Sequence, residues 1–207
     1  MFAAIFWDND GVLMETEHLY YRANAEALGQ VGVDLTLDTF KEMSLRRGES
    51  VLKLAAGDER KLRSWRDARY FELLGSEAQV IPGVTDALAQ LQGRLPMAIV
   101  TSCRRVNFLQ MHRRSGLLGY FDFILTREDY VNSKPDPEPY LAASVRAGLS
   151  PAACLAVEDS ERGVTSAVLA GLTVAAIPGT MNHGGDFTAA RWRLDSIGQL
   201  PGLLGMV

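Results

Sequence analysis

The chain has 207 residues, 47% of them apolar and 22% charged, with a formal net charge of −4. That is the composition of a globular protein with a sizeable core, either one domain of ordinary size plus an insertion or two small domains, and it gives a nucleic-acid partner little electrostatic support. Two cysteines without CxxC spacing, no signal-like opening and no apolar run of membrane-spanning length lead to the expectation of a soluble, cytoplasmic protein with neither nucleic acid nor membrane as partner.

The first expected element is a short strand, about residues 3–7, closed by Asp8, Asn9, Asp10 and Gly11, a set of residue types that favours a turn. The pattern is then helical for about sixty-five residues. Tyr20, Ala23, Ala27 and Val31 recur at helical spacing, and Gly29 and Gly32 close that helix. Thr39 and Glu42 have the spacing of a capping box. Stretches 50–56 and 59–74, the latter with Leu62, Trp65 and Ala68 on one face, complete the helical block.

The character changes at VIPGV, residues 80–84. Short apolar runs (95–101, 121–126, 154–157 and 173–177) suit strands buried on both faces, and they alternate with helical patterns around 84–92, 105–115, 137–147 and 161–170. Such alternation predicts an α/β fold built on a parallel sheet, which the first strand must join because a lone strand is not stable. The helical block, residues 15–80, is then an insertion into a core made of 1–14 and 81–207.

Ligands of open α/β sheets bind beyond the carboxyl ends of the strands. The residues that follow the apolar runs are Asp8 and Asp10, then Thr101 and Ser102, then Lys134 in a loop, then Glu158 and Asp159. Each has a plain alternative: the hydroxyls can cap a helix, the lysine can be solvated, and the acids can sit at a helix N-terminus. Those alternatives do not explain why the strand ends are polar in a complementary way. Converging carboxylates repel one another, and Mg²⁺, which takes one or two carboxylates together with water and a substrate phosphate, relieves that repulsion. A lysine and a hydroxyl opposite would hold the remaining phosphate oxygens. A calcium loop fails on spacing, because Val12 and Leu13 stand where that motif needs Asp or Asn and then Gly. The pattern points to Mg²⁺-assisted phosphoryl transfer.

At this point WDNDGVL, AIVTS, SKPDPEPY and AVEDSERGVTSAVLAG, in that order, resemble the four motifs of the haloacid dehalogenase-like superfamily. The resemblance covers essentially the whole chain. It implies a Rossmann-like core, a mobile helical cap inserted after the first motif, and phosphoester hydrolysis through an aspartyl-phosphate. Carried over by position, Asp8 would be the nucleophile and an Mg²⁺ ligand, and Asp10 the general acid and base, lending its backbone carbonyl to the metal. Thr101 and the amides near Ser102 would bind the phosphoryl group, Lys134 would neutralise it, and Asp159 and Glu158 would complete the metal site. Thr16 fits the stretch that follows the first motif and is expected among the substrate-binding residues. The presence of Asp10 favours a phosphate ester over a carbon–halogen bond, because an alkoxide needs a proton and a halide does not.

The expected function is hydrolysis of a small phosphorylated metabolite such as a sugar phosphate, with a monomer as the working expectation. A mutase resembling β-phosphoglucomutase is the alternative: RRGESVLK is similar to that enzyme's substrate loop, with Arg47 as a phosphate grip, although Tyr20 stands where a hinge histidine would be expected. A receiver domain has its phosphorylated aspartate in another order, and a non-catalytic binding protein need not keep all these groups together. Trp7, Asn9 and Glu15 depart from the commonest motif. Cys103 is expected to line the pocket without acting as a nucleophile, and His18, His112 and His183 to be surface or cap residues.

Overall fold

The structure, a computed structural model, describes residues 2–205, so residues 1, 206 and 207 of the expected core lie outside it. The first apolar run forms β1 (Ala4–Trp7), buried at every position because it is the inner strand of a parallel sheet. The chain continues through β2 (Met14–Glu15), α1 (Glu17–Gly29), α2 (Leu37–Phe40), α3 (Glu59–Glu77) and β3 (Gln79–Val80). It then alternates: α4 (Val84–Leu91), β4 (Met97–Val100), α5 (Arg105–His112), β5 (Phe123–Leu125), α6 (Glu138–Ala147), β6 (Cys154–Glu158), α7 (Glu161–Leu169) and β7 (Thr173–Ala176). β8 (Trp192–Arg193) and α8 (Leu200–Leu203) follow.

The six-stranded sheet has the order β5-β4-β1-β6-β7-β8, with every pair parallel. Side chains alternate across it. Ile5 and Trp7 join a cluster with Val84 and Leu88 of α4, Phe108 of α5 and Leu200 of α8, whereas Ala4 and Phe6 join Tyr140 of α6 and Val164 and Ala167 of α7. Helices therefore cover both faces, which gives the α/β Rossmann-like architecture. The strand order reverses at β1, between β4 and β6, and this is where such sheets open a crevice.

The helical segment between β2 and β3 has its own cluster, including Ala27, Leu28, Phe40, Leu52 and Leu62. β2 and β3 pair antiparallel, so the segment leaves and re-enters the rest of the chain at one place.

Several local expectations are corrected. α3 does not bury Leu62, Trp65 and Ala68 together: Trp65 is 37% exposed and Ala68 is exposed, and the buried stripe runs through Leu62, Arg66, Tyr70, Leu73 and Leu74. A charged residue hides this stripe in a hydrophobic pattern. Arg66 is buried because its guanidinium donates to Tyr20 Oη (2.6 Å), Asn24 Oδ1 (3.0 Å) and Asp67 Oδ1 (2.7 Å). Thr39 is not an N-cap; α2 starts earlier, with Thr36 accepting from the Thr39 amide. Val31 lies beyond α1 and is exposed. The stretch 50–56 forms only one tight 3₁₀ turn, Val51–Leu54.

Candidate active site

The apolar β1 ladder carries one residue past the strand, where the Asp8 amide donates to Val157 O (2.9 Å). The chain then turns about the Asn9 carbonyl, which accepts from the Leu13 (2.8 Å) and Met14 (3.0 Å) amides. The turn expected from Asp, Asn and Gly exists, and it sits at the sheet's switch point. Gly11 is required twice over: its φ is +83°, and a Cβ there would fall 2.0 Å from Asp159 Oδ2. Gly163 has a similar role in the first turn of α7, since a Cβ would fall 1.9 Å from Glu158 Oε2.

Asp8, Asp10, Thr16, Thr101, Ser102, Lys134 and Asp159 all line one cleft of about 540 Å³. Its other wall comes from the helical segment, through Tyr20, Ser44, Gly48 and Arg63. Lys134 is buried (5% exposed), and its ammonium donates to Asp8 Oδ1 (2.6 Å), Glu158 Oε1 (2.6 Å) and Val100 O (2.8 Å). It is not a solvated loop lysine. Tyr140 Oη donates to Glu158 Oε1 at 2.6 Å. Thr16 Oγ1 donates to Asp10 Oδ1, and Thr101 Oγ1 lies 3.4 Å from Asp10 Oδ2.

Asp8, Glu158 and Asp159 are buried and bring carboxylate oxygens within 4.8 Å of one another. Burial, opposed by Lys134 but reinforced by Glu158 and Asp10, pushes Asp8 up to about 8. Burial, with Glu17, Asp8 and Glu158 nearby, holds Asp159 well above the usual carboxylate range. Burial alone would lower Lys134, yet Asp8 and Glu158 hold it well above its ordinary value. One lysine does not neutralise this set. Hard oxygen donors so close together, with Asp8 and Asp159 reluctant to ionise side by side, fit a small divalent cation.

Arg47 does not line the cleft. Its guanidinium is exposed and paired with Glu42 (2.8 Å), because the segment Lys41–Arg46 winds as a π-helix that places Glu42 beneath both Arg46 and Arg47. The arginines at the cleft are Arg63, Arg66, Arg104 and Arg162. Cys103 lines the cleft as expected, and burial keeps its thiol well above the ordinary range.

Sequence reasoning missed four participants. Tyr140 was within reach, since it closes the SKPDPEPY motif. Asn182 carries no local signal; it comes from the loop after β7 and donates to both Asp159 Oδ2 (2.7 Å) and Glu17 Oε1 (2.8 Å). Arg162 reaches from α7 to donate to Lys134 O. His112, expected at the surface or in the cap, is a buried residue of α5, 4% exposed, while His18 and His183 are exposed.

Burial pulls the His112 imidazole down to about 4 from a model-peptide value of 6.5. Between those values the unfolded chain binds a proton that the folded chain does not, so stability rises with pH across the window and is lost as pH falls through it. His112→Leu is expected to remove that slope, a contribution of about 3 kcal/mol at most. Urea denaturation of both proteins at either end of the window measures it, and identical slopes would contradict it.

A buried carboxylate cluster with a lysine, a hydroxyl and a second aspartate, at the switch point of a parallel sheet, defines an α/β enzyme of phosphoryl transfer. The sequence profile described as haloacid dehalogenase-like hydrolase matches residues 5–177. The chain is 33% identical to protein CbbY of Rhodobacter capsulatus over 94% of this chain and 93% of that one. It is 31% identical to the phosphorylated carbohydrates phosphatase of Thermotoga maritima, over 82% of each. Among solved structures, a variant of CbbY from Rhodobacter sphaeroides in complex with xylulose-(1,5)bisphosphate superposes with a TM-score of 0.85 at 27% identity, covering 100% of this chain and 99% of that one. The chain belongs to the haloacid dehalogenase-like hydrolases, as a phosphoric monoester hydrolase.

Proposed function

We propose that the protein hydrolyses a small phosphorylated carbohydrate through an aspartyl-phosphate on Asp8. The observation that carries this reading is the meeting of Asp8, Asp10, Thr101, Lys134 and Asp159 at the edge of one cleft. The phosphorylated carbohydrates phosphatase and the CbbY variant holding xylulose-(1,5)bisphosphate support the substrate class. A cleft of about 540 Å³ with several arginines suits a sugar phosphate.

In this mechanism an Asp8 carboxylate oxygen attacks phosphorus, the ester P–O bond breaks, and Asp10 gives its proton to the leaving alkoxide. Asp10, now a carboxylate, takes a proton from water as that water attacks the phosphorus of the aspartyl-phosphate. The bond to Asp8 breaks, phosphate leaves, and both aspartates return to their starting states. Lys134 and the Thr101 hydroxyl hold the phosphoryl oxygens through both displacements. Asp8, Asp159 and the Asp10 carbonyl, with Glu158 directly or through water, would hold Mg²⁺, which supplies positive charge for the transferring group. Residues 15–80 act as a cap over a core of 1–14 and 81–207; the single β2–β3 attachment supports this division, since two adjacent crossings make a natural hinge.

Released phosphate, measured across a panel of phosphorylated sugars with Mg²⁺, tests the reading. Turnover should stop in EDTA and recover poorly with Ca²⁺, whose looser coordination disturbs in-line attack. Full activity in EDTA would remove the metal from the mechanism, and a panel without turnover would remove the substrate class.

A further inference from the structure

Alternation along β1 aims Asn9 into the apolar side of the sheet occupied by Ile5 and Trp7, and Asn9 is 0% exposed. An amide in such a place is costly unless each of its polar atoms is satisfied. The turn does not need this side chain, because the Asn9 backbone carbonyl already accepts the turn amides. The side-chain Nδ2 instead lies 3.2 Å from Asp10 Oδ2 and 3.0 Å from Met111 Sδ, while Oδ1 lies 2.7 Å from His112 Nε2. His112 Nδ1 in turn lies 2.8 Å from Ser115 Oγ.

These neighbours leave one consistent direction for the protons. A reversed amide would set its carbonyl oxygen 3.0 Å from Met111 Sδ, a thioether with no hydrogen to give, so Nδ2 faces Met111 and Asp10 and Oδ1 faces the imidazole. His112 Nε2 must then carry a hydrogen, and Nδ1 must accept. Ser115 Oγ accepts from the Leu117 amide (3.1 Å), and its own proton goes to Nδ1 at 2.8 Å in preference to the more distant His112 carbonyl at 3.4 Å. Packing of the Phe108 ring at 4.5 Å between centroids helps hold the imidazole in place.

We propose that Asn9 and His112 are positioning residues for Asp10: a buried chain of donors, Ser115 to His112 to Asn9, grips Asp10 Oδ2 while Thr16 grips Oδ1, and so aims the carboxyl group at the leaving oxygen. No proton travels along the chain. This inference rests on the reading of Asp10 as the leaving-group acid.

The test compares kcat/KM for 4-nitrophenyl phosphate, whose leaving group needs no proton at neutral pH, with that for phenyl phosphate, whose leaving group does. His112→Leu should slow phenyl phosphate about 10-fold more than the nitrophenyl ester, a small part of what a well-placed acid contributes. His112→Gln, which retains a donor, should recover most of that difference. Asn9→Leu, which removes the direct donor to Asp10, should lose at least as much as His112→Leu, and the double variant Asn9→Leu/His112→Leu should lose no more than Asn9→Leu does, as links of one chain must. The double variant leaves no orphaned polar atom, so it gives the comparison even where the single substitution unfolds. Equal losses on both esters in His112→Leu, or additive losses in the double variant, overturn the inference while leaving the acid in place, provided Asp10→Asn is itself selective against phenyl phosphate. Equal losses in Asp10→Asn would remove the acid reading and the inference with it.

Discussion

Asp8→Asn is expected to abolish turnover, by about 10⁴-fold or more, while leaving the protein at least as stable as the wild type. The two halves of this expectation have separate causes. An amide cannot form the acyl phosphate, so the proposed covalent step disappears and no phosphoryl adduct should appear in an intact-mass spectrum after incubation with substrate. Stability is governed by electrostatics: Asp8 sits in a buried site where Glu158 and Asp10 oppose its charge, and its carboxyl is pushed up to about 8. A neutral isostere removes that repulsion, and Lys134 keeps Glu158 as a partner at 2.6 Å. The melting temperature, measured without added metal, should therefore stay level or rise. Substantial turnover in Asp8→Asn would transfer the nucleophile's role elsewhere, and a large loss of stability would show that the Asp8–Lys134 pair outweighs the repulsion.

Lys134→Met should have the opposite balance, losing both activity and stability. Lys134 Nζ makes two ion pairs, with Asp8 and Glu158, and a third contact to Val100 O, all within 2.8 Å. Its removal leaves Glu158, which is fully buried, as an uncompensated charge held by Tyr140. Breaking such a buried pair from one side costs about 3–5 kcal/mol. At about 2–4 °C per kcal/mol for a chain of this size, the melting temperature should fall by roughly 6–20 °C. Adding Glu158→Gln removes the orphaned charge and should recover much of that loss without restoring turnover. This contrast separates the structural part of the lysine from the proposed one of holding the phosphoryl group. A single variant with unchanged melting and unchanged kinetics would return Lys134 to the role of a surface residue, contrary to its burial.

The central part of the site was legible because its determinants are local. An apolar run ending in Asp8 and Asp10, another ending in Thr101, and a third ending in Glu158 and Asp159 can be read without knowing how strands pair. A parallel sheet then gathers their carboxyl ends at one edge, because all its strands run in the same direction. Alternation of apolar runs with glycine-closed helical patterns marked the α/β class for the same reason. The short pairings, Met14–Glu15 with Gln79–Val80 and Trp192–Arg193 on the sheet edge, escaped because two residues show no periodicity.

What the sequence could not show depends on contacts between distant segments. Arg66 reads as a surface residue until Asn24 and Tyr20, on another helix, are seen to satisfy its guanidinium. Arg47 reads as a grip over the site, but the π-wound turn at Lys41–Arg46 directs it to Glu42. Asn182 reaches Asp159 only because the loop after β7 folds back over the carboxylates. Asn9 and His112 are 103 positions apart, and each alone looks like a turn residue and a scattered histidine. The sequence by itself determined which polar residues stand at the strand ends, since hydrophobic periodicity and motif spacing are properties of neighbouring residues. The tertiary structure alone decided which buried polar groups satisfy one another, because a hydrogen bond's partner is set by where the backbone carries it and not by anything written beside it in the chain.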